Sequence, residues 1–234
     1  MGNYGRRMED VLASCDFVIQ GVFFDLDGTL YDRDAAIVKT AEHQFEAFQK
    51  NLKGVSREAF IAHLVALDRH GHPRIPQLYD VLAKKLGLST AVGERLEEYF
   101  HLHYWEFCLV PEDTLHTLER LRDRGKRLGI ITNGPAVWQS RKIEAMKIGP
   151  LFDVIVISGN EGVEKPDARI FARAMERCGV SAEESMFVGD HPQADVEGAK
   201  KAGMFAVWKR KEYWTVPDDV PGIDRISEIL HWID

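Results

Sequence analysis

The chain has 234 residues, with 30 Lys and Arg against 37 Asp and Glu, a formal charge of −7 at neutral pH. Its 45% apolar and 29% charged residues exclude global disorder, and the length suits one large domain or one domain with a sizeable insertion. The acidic balance argues against nucleic acid as a partner, because neutralising phosphates needs surplus Lys and Arg, but a small anionic substrate can still meet a locally positive site.

No apolar run approaches the length that crosses a bilayer, so no membrane association is expected. Between Met1 and Gly21 the acids Glu9, Asp10 and Asp16 interrupt any signal-peptide core. Gly2 is followed at position 6 by Arg6, where N-myristoylation asks for Ser or Thr. Cys15, Cys108 and Cys178 lie far apart and match no metal-binding spacing, so they read as apolar thiols in a reducing compartment. A soluble cytoplasmic protein is expected.

In chain order, short apolar runs alternate with helical stretches. Residues 17–24 (FVIQGVFF) run into Asp25, 127–131 (RLGII) into Thr132, and 154–157 (VIVI) into Ser158. Residues 186–188 (MFV) lead into Gly189 and Asp190, and 204–208 (MFAVW) close the series. Amphipathic helices are predicted at 114–124, 136–146, 167–178 and 195–202, with a last one at 225–232. Apolar runs joined through helices indicate parallel strands with crossovers, hence an α/β fold with an open, Rossmann-like parallel sheet flanked by helices.

Residues 33–109 break this pattern. Long amphipathic stretches at 35–49, 57–68, 77–86 and 91–104 contain no convincing strand, so an all-helical domain is predicted there, inserted into a sheet domain of 1–32 and 110–234. Its basic stretch Asp68-Arg69-His70-Gly71-His72-Pro73-Arg74 reads as a surface turn before it reads as a substrate contact. Trp105 and Phe107 read as packing residues rather than as base-stacking platforms.

The chemistry concentrates where the runs end. Asp25-Leu26-Asp27-Gly28-Thr29-Leu30 places two carboxylates two residues apart after a buried strand. Such acids repel each other and resist desolvation unless a cation or proton accompanies them. Asp25, Thr132 and Asp190 all stand just past predicted strands, and in an open α/β sheet those ends form the binding crevice.

The DxDGTL stretch resembles the first motif of the haloacid dehalogenase superfamily, and three further motifs follow in order. Thr132-Asn133-Gly134 is similar to the second. Lys165, within Glu164-Lys165-Pro166-Asp167, is similar to the third, and Gly189-Asp190-His191-Pro192-Gln193-Ala194-Asp195 to the fourth. The helical insertion resembles the cap of one large branch of the superfamily, placed just after the first motif. The stretch between Asn133 and Glu164 is too short for the other common cap position.

The resemblance implies a Mg²⁺-dependent phosphatase of a small phosphorylated metabolite, working through an aspartyl-phosphate. Asp25 would be the nucleophile and Asp27 the general acid and base. Asp25, the main-chain carbonyl of Asp27, and Asp190 would hold the Mg²⁺. Thr132 and Asn133 would bind the phosphoryl oxygens, with Lys165 supplying positive charge to both substrate and reaction. Asp195 either stands beside the metal or the lysine, or merely caps a helix. His191 reads as a loop histidine, since Mg²⁺ disfavours imidazole. The cap would close over the site and choose the leaving group.

The substrates that fit are a nucleoside monophosphate, preferred on similarity to bacterial members with Asp-His-Pro in the fourth motif, then phosphoglycolate or a sugar phosphate. A haloacid dehalogenase would lack the second acid, whereas Asp27 is present. A phosphomutase would need a phosphoenzyme shielded from water, and a phosphonate hydrolase a desolvated cap lysine, which nothing marks among Lys39, Lys50 and Lys53. A non-catalytic binding or regulatory protein on the same fold would have lost an acid, and here Asp25, Asp27 and Asp190 all stand beside Lys165 in the motif order. Monomer and homodimer both remain open.

Overall fold

The computed structural model describes residues 18–71, 77–216 and 219–233. Gly2, Arg6, Cys15, the acids of the first 17 residues, and His72, Pro73 and Arg74 of the basic stretch lie outside the described residues. The chain forms two compact units, one joining the residues up to Tyr31 with those from Val110, the other comprising Asp32–Leu109.

The first unit is built on β1 (Gly21–Phe24), β2 (Arg127–Thr132), β3 (Val154–Ile157), β4 (Ser185–Gly189), β5 (Phe205–Lys209) and β6 (Gly222–Ile223). All pair in parallel in the order β3-β2-β1-β4-β5-β6. The central strands β1 and β4 are buried at every position. Helices cover both faces of such a sheet, which is why the strands read as unbroken apolar runs without alternation. The core gathers Phe23, Phe171 and Phe187, with the last two rings edge to face at 5.1 Å.

The second unit holds α1 (Arg33–Ala47), α2 (Arg57–Asp68), α3 (Leu78–Lys85) and α4 (Thr90–His103), followed by a 3₁₀ turn at Tyr104–Phe107. Asp32 caps α1 by accepting from the Ala35 amide at 3.0 Å, and Ser56 caps α2 through the Ala59 amide at 3.1 Å. Arg33 and Asp68 pair through two hydrogen bonds of 2.6 and 2.8 Å. Buried Gln44 donates to the Leu96 carbonyl and accepts from the Tyr79 hydroxyl, so its amide is satisfied inside the helical core. Phe107 packs edge to face on His43 at 5.3 Å, a packing contact.

The sheet unit also carries α5 (Glu112–Asp123), α6 (Ala136–Met146), α7 (Ser158–Glu161), α8 (Ala168–Cys178) and α9 (Gly198–Lys201). The helix predicted at 195–202 starts earlier and differently. His191 is the N-cap, its Nδ1 accepting from the Gln193 and Ala194 amides at 3.2 Å, and a π turn at Pro192–Glu197 leads into α9. Asp195 therefore lies inside the turn and does not cap it. The last predicted helix is a 3₁₀ stretch, Ile226–Trp232, and β1 is shorter than its apolar run. The sequence reading missed β6 and α7, which at two and four residues are too short for periodicity to register.

Cys108 is buried and Cys178 half-buried, both as free thiols. Among the described residues no helix is long and apolar enough to cross a membrane.

Gly129 of β2 stands opposite Phe23 of β1 in the ladder. A Cβ there would lie 2.4 Å from the Phe23 ring, so the bare strand makes room for the aromatic. Gly129→Ala is expected to destabilise the protein by about 1–3 kcal/mol, the usual cost of overpacking, measured by urea unfolding. An unchanged midpoint would show that Phe23 can turn aside freely.

Candidate active site

The strand order places the site. From β1 the chain builds outward through β2 and β3 on one side, then returns to build β4, β5 and β6 on the other. The β1/β4 boundary is thus the point where the winding reverses, and the crevice at the carboxyl ends of these two strands is where such sheets bind ligands. Asp25 leaves the end of β1, its amide still donating to the Val188 carbonyl of β4 at 2.9 Å. Asp190 leaves the end of β4, and Thr132 ends β2.

Lys165 comes from the loop between α7 and α8 and is 4% exposed. Its Nζ donates to Asp25 Oδ1 and Asp195 Oδ1, each at 2.6 Å, and lies 5.3 Å from the centre of the Phe187 ring. Asp195 Oδ2 accepts from the His191 amide at 2.9 Å, so both of its oxygens are engaged. Asn133 braces this loop, its amide group donating to the Lys165 carbonyl and accepting from the Lys165 amide, both at 2.9 Å. The Asn133 side chain thus spends one of its two N–H bonds on locating the lysine.

Asp25, Asp190 and Asp195 are buried together, with one oxygen of each within 4.8 Å of the others. Burial pushes the Asp25 carboxyl up to about 7; the Lys165 ammonium opposes this, and the charges of Asp195 and Asp27 add to it. Burial likewise raises Asp190 well above the usual carboxylate range, with Asp195 and Asp25 reinforcing it. For Lys165, burial works against its charge, but Asp195 and Asp25 outweigh it and hold the ammonium charged.

With all three acids ionised, one ammonium among three carboxylates leaves an excess of negative charge in a buried place, and burial with that excess makes Asp25 and Asp190 hold their protons more tightly than usual. Asp190 is the carboxylate that no hydrogen-bond donor reaches among the described residues. The backbone makes room beside it, since Gly28 has φ of +86° and a Cβ there would lie 2.4 Å from Asp190 Oδ2. Next to it Thr29 is buried, with a hydroxyl that finds no partner among the described residues. Hard oxygen donors, surplus negative charge and a side-chain-free approach fit a divalent cation of the Mg²⁺ type. His191 is a poor ligand for such a cation, because its Nδ1 is occupied by the cap and hard cations prefer oxygen to imidazole.

Asp27 stands apart from this cluster and is only half-buried. Its Oδ1 accepts from Lys142 Nζ at 2.5 Å and from the Tyr31 hydroxyl, and its Oδ2 accepts from Gln139 Nε2 at 2.7 Å. Gln139 Nε2 also donates to Thr132 Oγ1 at 2.6 Å. The sequence reading missed Gln139, Lys142 and Tyr31. The first two are three places apart on α6, directly after the Thr132 loop. In an amphipathic helix, however, such residues read as its wet face.

The sequence pattern of the haloacid dehalogenase-like hydrolases matches residues 22–209. The chain belongs to this family. It is similar to the glyceraldehyde 3-phosphate phosphatase of Pyrococcus abyssi, 33% identical over 193 residues that span 82% of this chain and 81% of the relative. Among solved structures, a HAD phosphatase from Thermococcus onnurineus is 28% identical, with a TM-score of 0.64 over 92% of this chain and 97% of the other. The magnesium-bound HAD-hydrolase YfnB of Bacillus subtilis shares the fold, at 24% identity and a TM-score of 0.75 over 93% of this chain and 99% of its own. Asp25, Thr132 and Asp190, which carry the sequence resemblance together with Lys165, stand at the carboxyl edge of one sheet in this hydrolase.

Two outcomes follow from the charge balance. In chelator, folded Asp25 keeps its proton to about 7 while the unfolded chain loses it near 4, so its contribution to stability falls as pH rises between those values. Asp25→Asn should therefore gain stability relative to the wild type as pH rises, seen as a narrowing or reversing gap in urea midpoints; a pH-independent gap contradicts the assignment. Addition of Mg²⁺ should raise the unfolding temperature, and Asp190→Ala should remove the rise.

Proposed function

We propose that this hydrolase is a cytoplasmic phosphatase of a small phosphorylated metabolite, acting through an aspartyl-phosphate on Asp25. The observation that carries the reading is the buried Asp25 carboxylate, held at one oxygen by Lys165 beside the unpaired acid Asp190. With Oδ1 occupied by the ammonium, Oδ2 is the oxygen left to attack phosphorus. As the new O–P bond forms, the bond to the ester oxygen breaks, and Asp27 gives that oxygen its proton. Asp27 then takes a proton from water, which attacks phosphorus, breaks the bond to Asp25 and releases inorganic phosphate.

Lys165 and the Thr132 hydroxyl face the charge that builds on the phosphoryl oxygens, with the Asn133 amide bracing the lysine. Asp195 keeps Lys165 in place from its other side. Mg²⁺, held by Asp25, Asp190 and the main-chain carbonyl of Asp27, would offset repulsion between the nucleophile and the anionic ester. Selection among esters we assign to the helical unit Asp32–Leu109. A three-carbon phosphate ester comes first, on the likeness to the Pyrococcus abyssi phosphatase, ahead of the nucleoside monophosphate favoured by the sequence.

The test is phosphate release from a panel of three-carbon phosphates, sugar phosphates and nucleotides, with Mg²⁺ and with chelator. Metal-dependent release from one class is expected, abolished by Asp25→Asn and lowered about 10²–10⁴-fold on alkyl esters by Asp27→Asn. Release that survives chelation, or an Asp25→Asn variant with near-normal turnover, would overturn the proposal. Phosphate moved between positions of one sugar without release would point to a mutase.

A further inference from the structure

The mechanism above leaves α6 without a role, although this helix presents two polar side chains to the site. Gln139 is 2% exposed and Lys142 7% exposed, whereas Arg141 on the same helix is exposed. Burying an ammonium is costly and is tolerated where the charge has a fixed partner. Here the partner is Asp27, and the three-residue spacing brings both side chains to it from one face of the helix.

We infer that Gln139 and Lys142 are positioning residues for phosphoryl transfer. Lys142 with Gln139 fixes the orientation of the Asp27 carboxylate, and Gln139 directs the Thr132 hydroxyl. The inference rests on the reading of Asp27 as the group that exchanges protons with the ester oxygen and with water.

The argument is geometric. The terminal torsion of an aspartate is broad, so a free carboxylate samples many orientations. Donors on both oxygens, Lys142 and Tyr31 on Oδ1 and Gln139 on Oδ2, leave one. Misplacing a proton donor by a fraction of its hydrogen-bond length costs rate without changing what binds.

The Gln139 amide is oriented by chemistry as well as by distance. A carboxylate only accepts, so the side facing Asp27 must be the NH₂. Its two hydrogens then serve Asp27 Oδ2 and Thr132 Oγ1. With an Oγ1 lone pair occupied, the Thr132 hydroxyl keeps its own hydrogen to donate to a phosphoryl oxygen. One amide thus ties the residue that handles the leaving group to one that holds the transferring group.

The two roles separate with two esters: the best alkyl phosphate from the panel, whose leaving group needs a proton, and p-nitrophenyl phosphate, whose leaving group does not. Lys142→Met is expected to lower kcat on the alkyl ester about 10–100-fold with KM little changed, and to lower it less than about threefold on the aryl ester. Lys142→Arg should recover part of the loss. Gln139→Met should cost activity on both esters, because Thr132 holds the phosphate in each.

Asp27→Asn run beside them separates the two failures. Equal losses on both esters in Asp27→Asn overturn the proton-transfer reading itself. A leaving-group-dependent loss in Asp27→Asn, alongside an equal loss or none in Lys142→Met, overturns the positioning role alone. Should Lys142→Met fail to fold, Lys142→Gln carries the same comparison.

Discussion

One buried ammonium governs the geometry of this site. Lys165 is nearly sealed from water, and it is tolerated there because Asp25 and Asp195 each give it an oxygen at 2.6 Å. The dependence is mutual: without the lysine two carboxylates would face each other in a medium that screens poorly. The arrangement is therefore rigid in a way no exposed ion pair is, and its members come from distant parts of the chain. Asp25 leaves β1, Asp195 sits in the π turn after β4, and Lys165 lies in a loop that Asn133 fastens by its main chain. The network carries more acid than base, and Asp190 adds a third acid that the lysine does not reach.

The fold makes this convergence cheap in chain terms. Strands β1 and β4 are neighbours although the chain between them builds β2 and β3 first, so the reversal of winding falls where Asp25 and Asp190 emerge. Parallel strands send every carboxyl end to the same edge, and a residue just past a strand inherits its position from the ladder. Gly28 completes the approach, since only a bare backbone with positive φ can pass so near Asp190.

Much of this was legible in the sequence because it is written locally. Apolar runs without alternation marked buried parallel strands, and Asp25, Thr132 and Asp190 each followed one directly. Lys165 and Asp195 were found through motif order, a likeness rather than a derivation, and the structure shows what that order encodes: one ion-pair network. The capping reading of Asp195 went astray because His191 can cap through a ring nitrogen, which weakens the usual Ser, Thr, Asp and Asn signal. Gln139 and Lys142 escaped because periodicity reports which face of a helix is apolar, not which polar residue has a partner 112 or 115 residues away.

The two acids of the first motif show why such partners matter. Asp25 and Asp27 are two residues apart and chemically identical, and each has an ammonium within 2.6 Å. What differs is everything around them. Asp25 is deeply buried, shares its ammonium with Asp195, and keeps one oxygen without a hydrogen bond among the described residues, which suits the nucleophile role proposed for it. Asp27 is half-buried and held at both oxygens by side chains outside the first strand, which suits the proton-transfer role proposed for it. On the proposed mechanism identical side chains acquire distinct work from their surroundings, as in other paired catalytic carboxylates. The sequence places the pair, but the assignment of roles depends on α6, whose contribution becomes visible only when the sheet has brought it there.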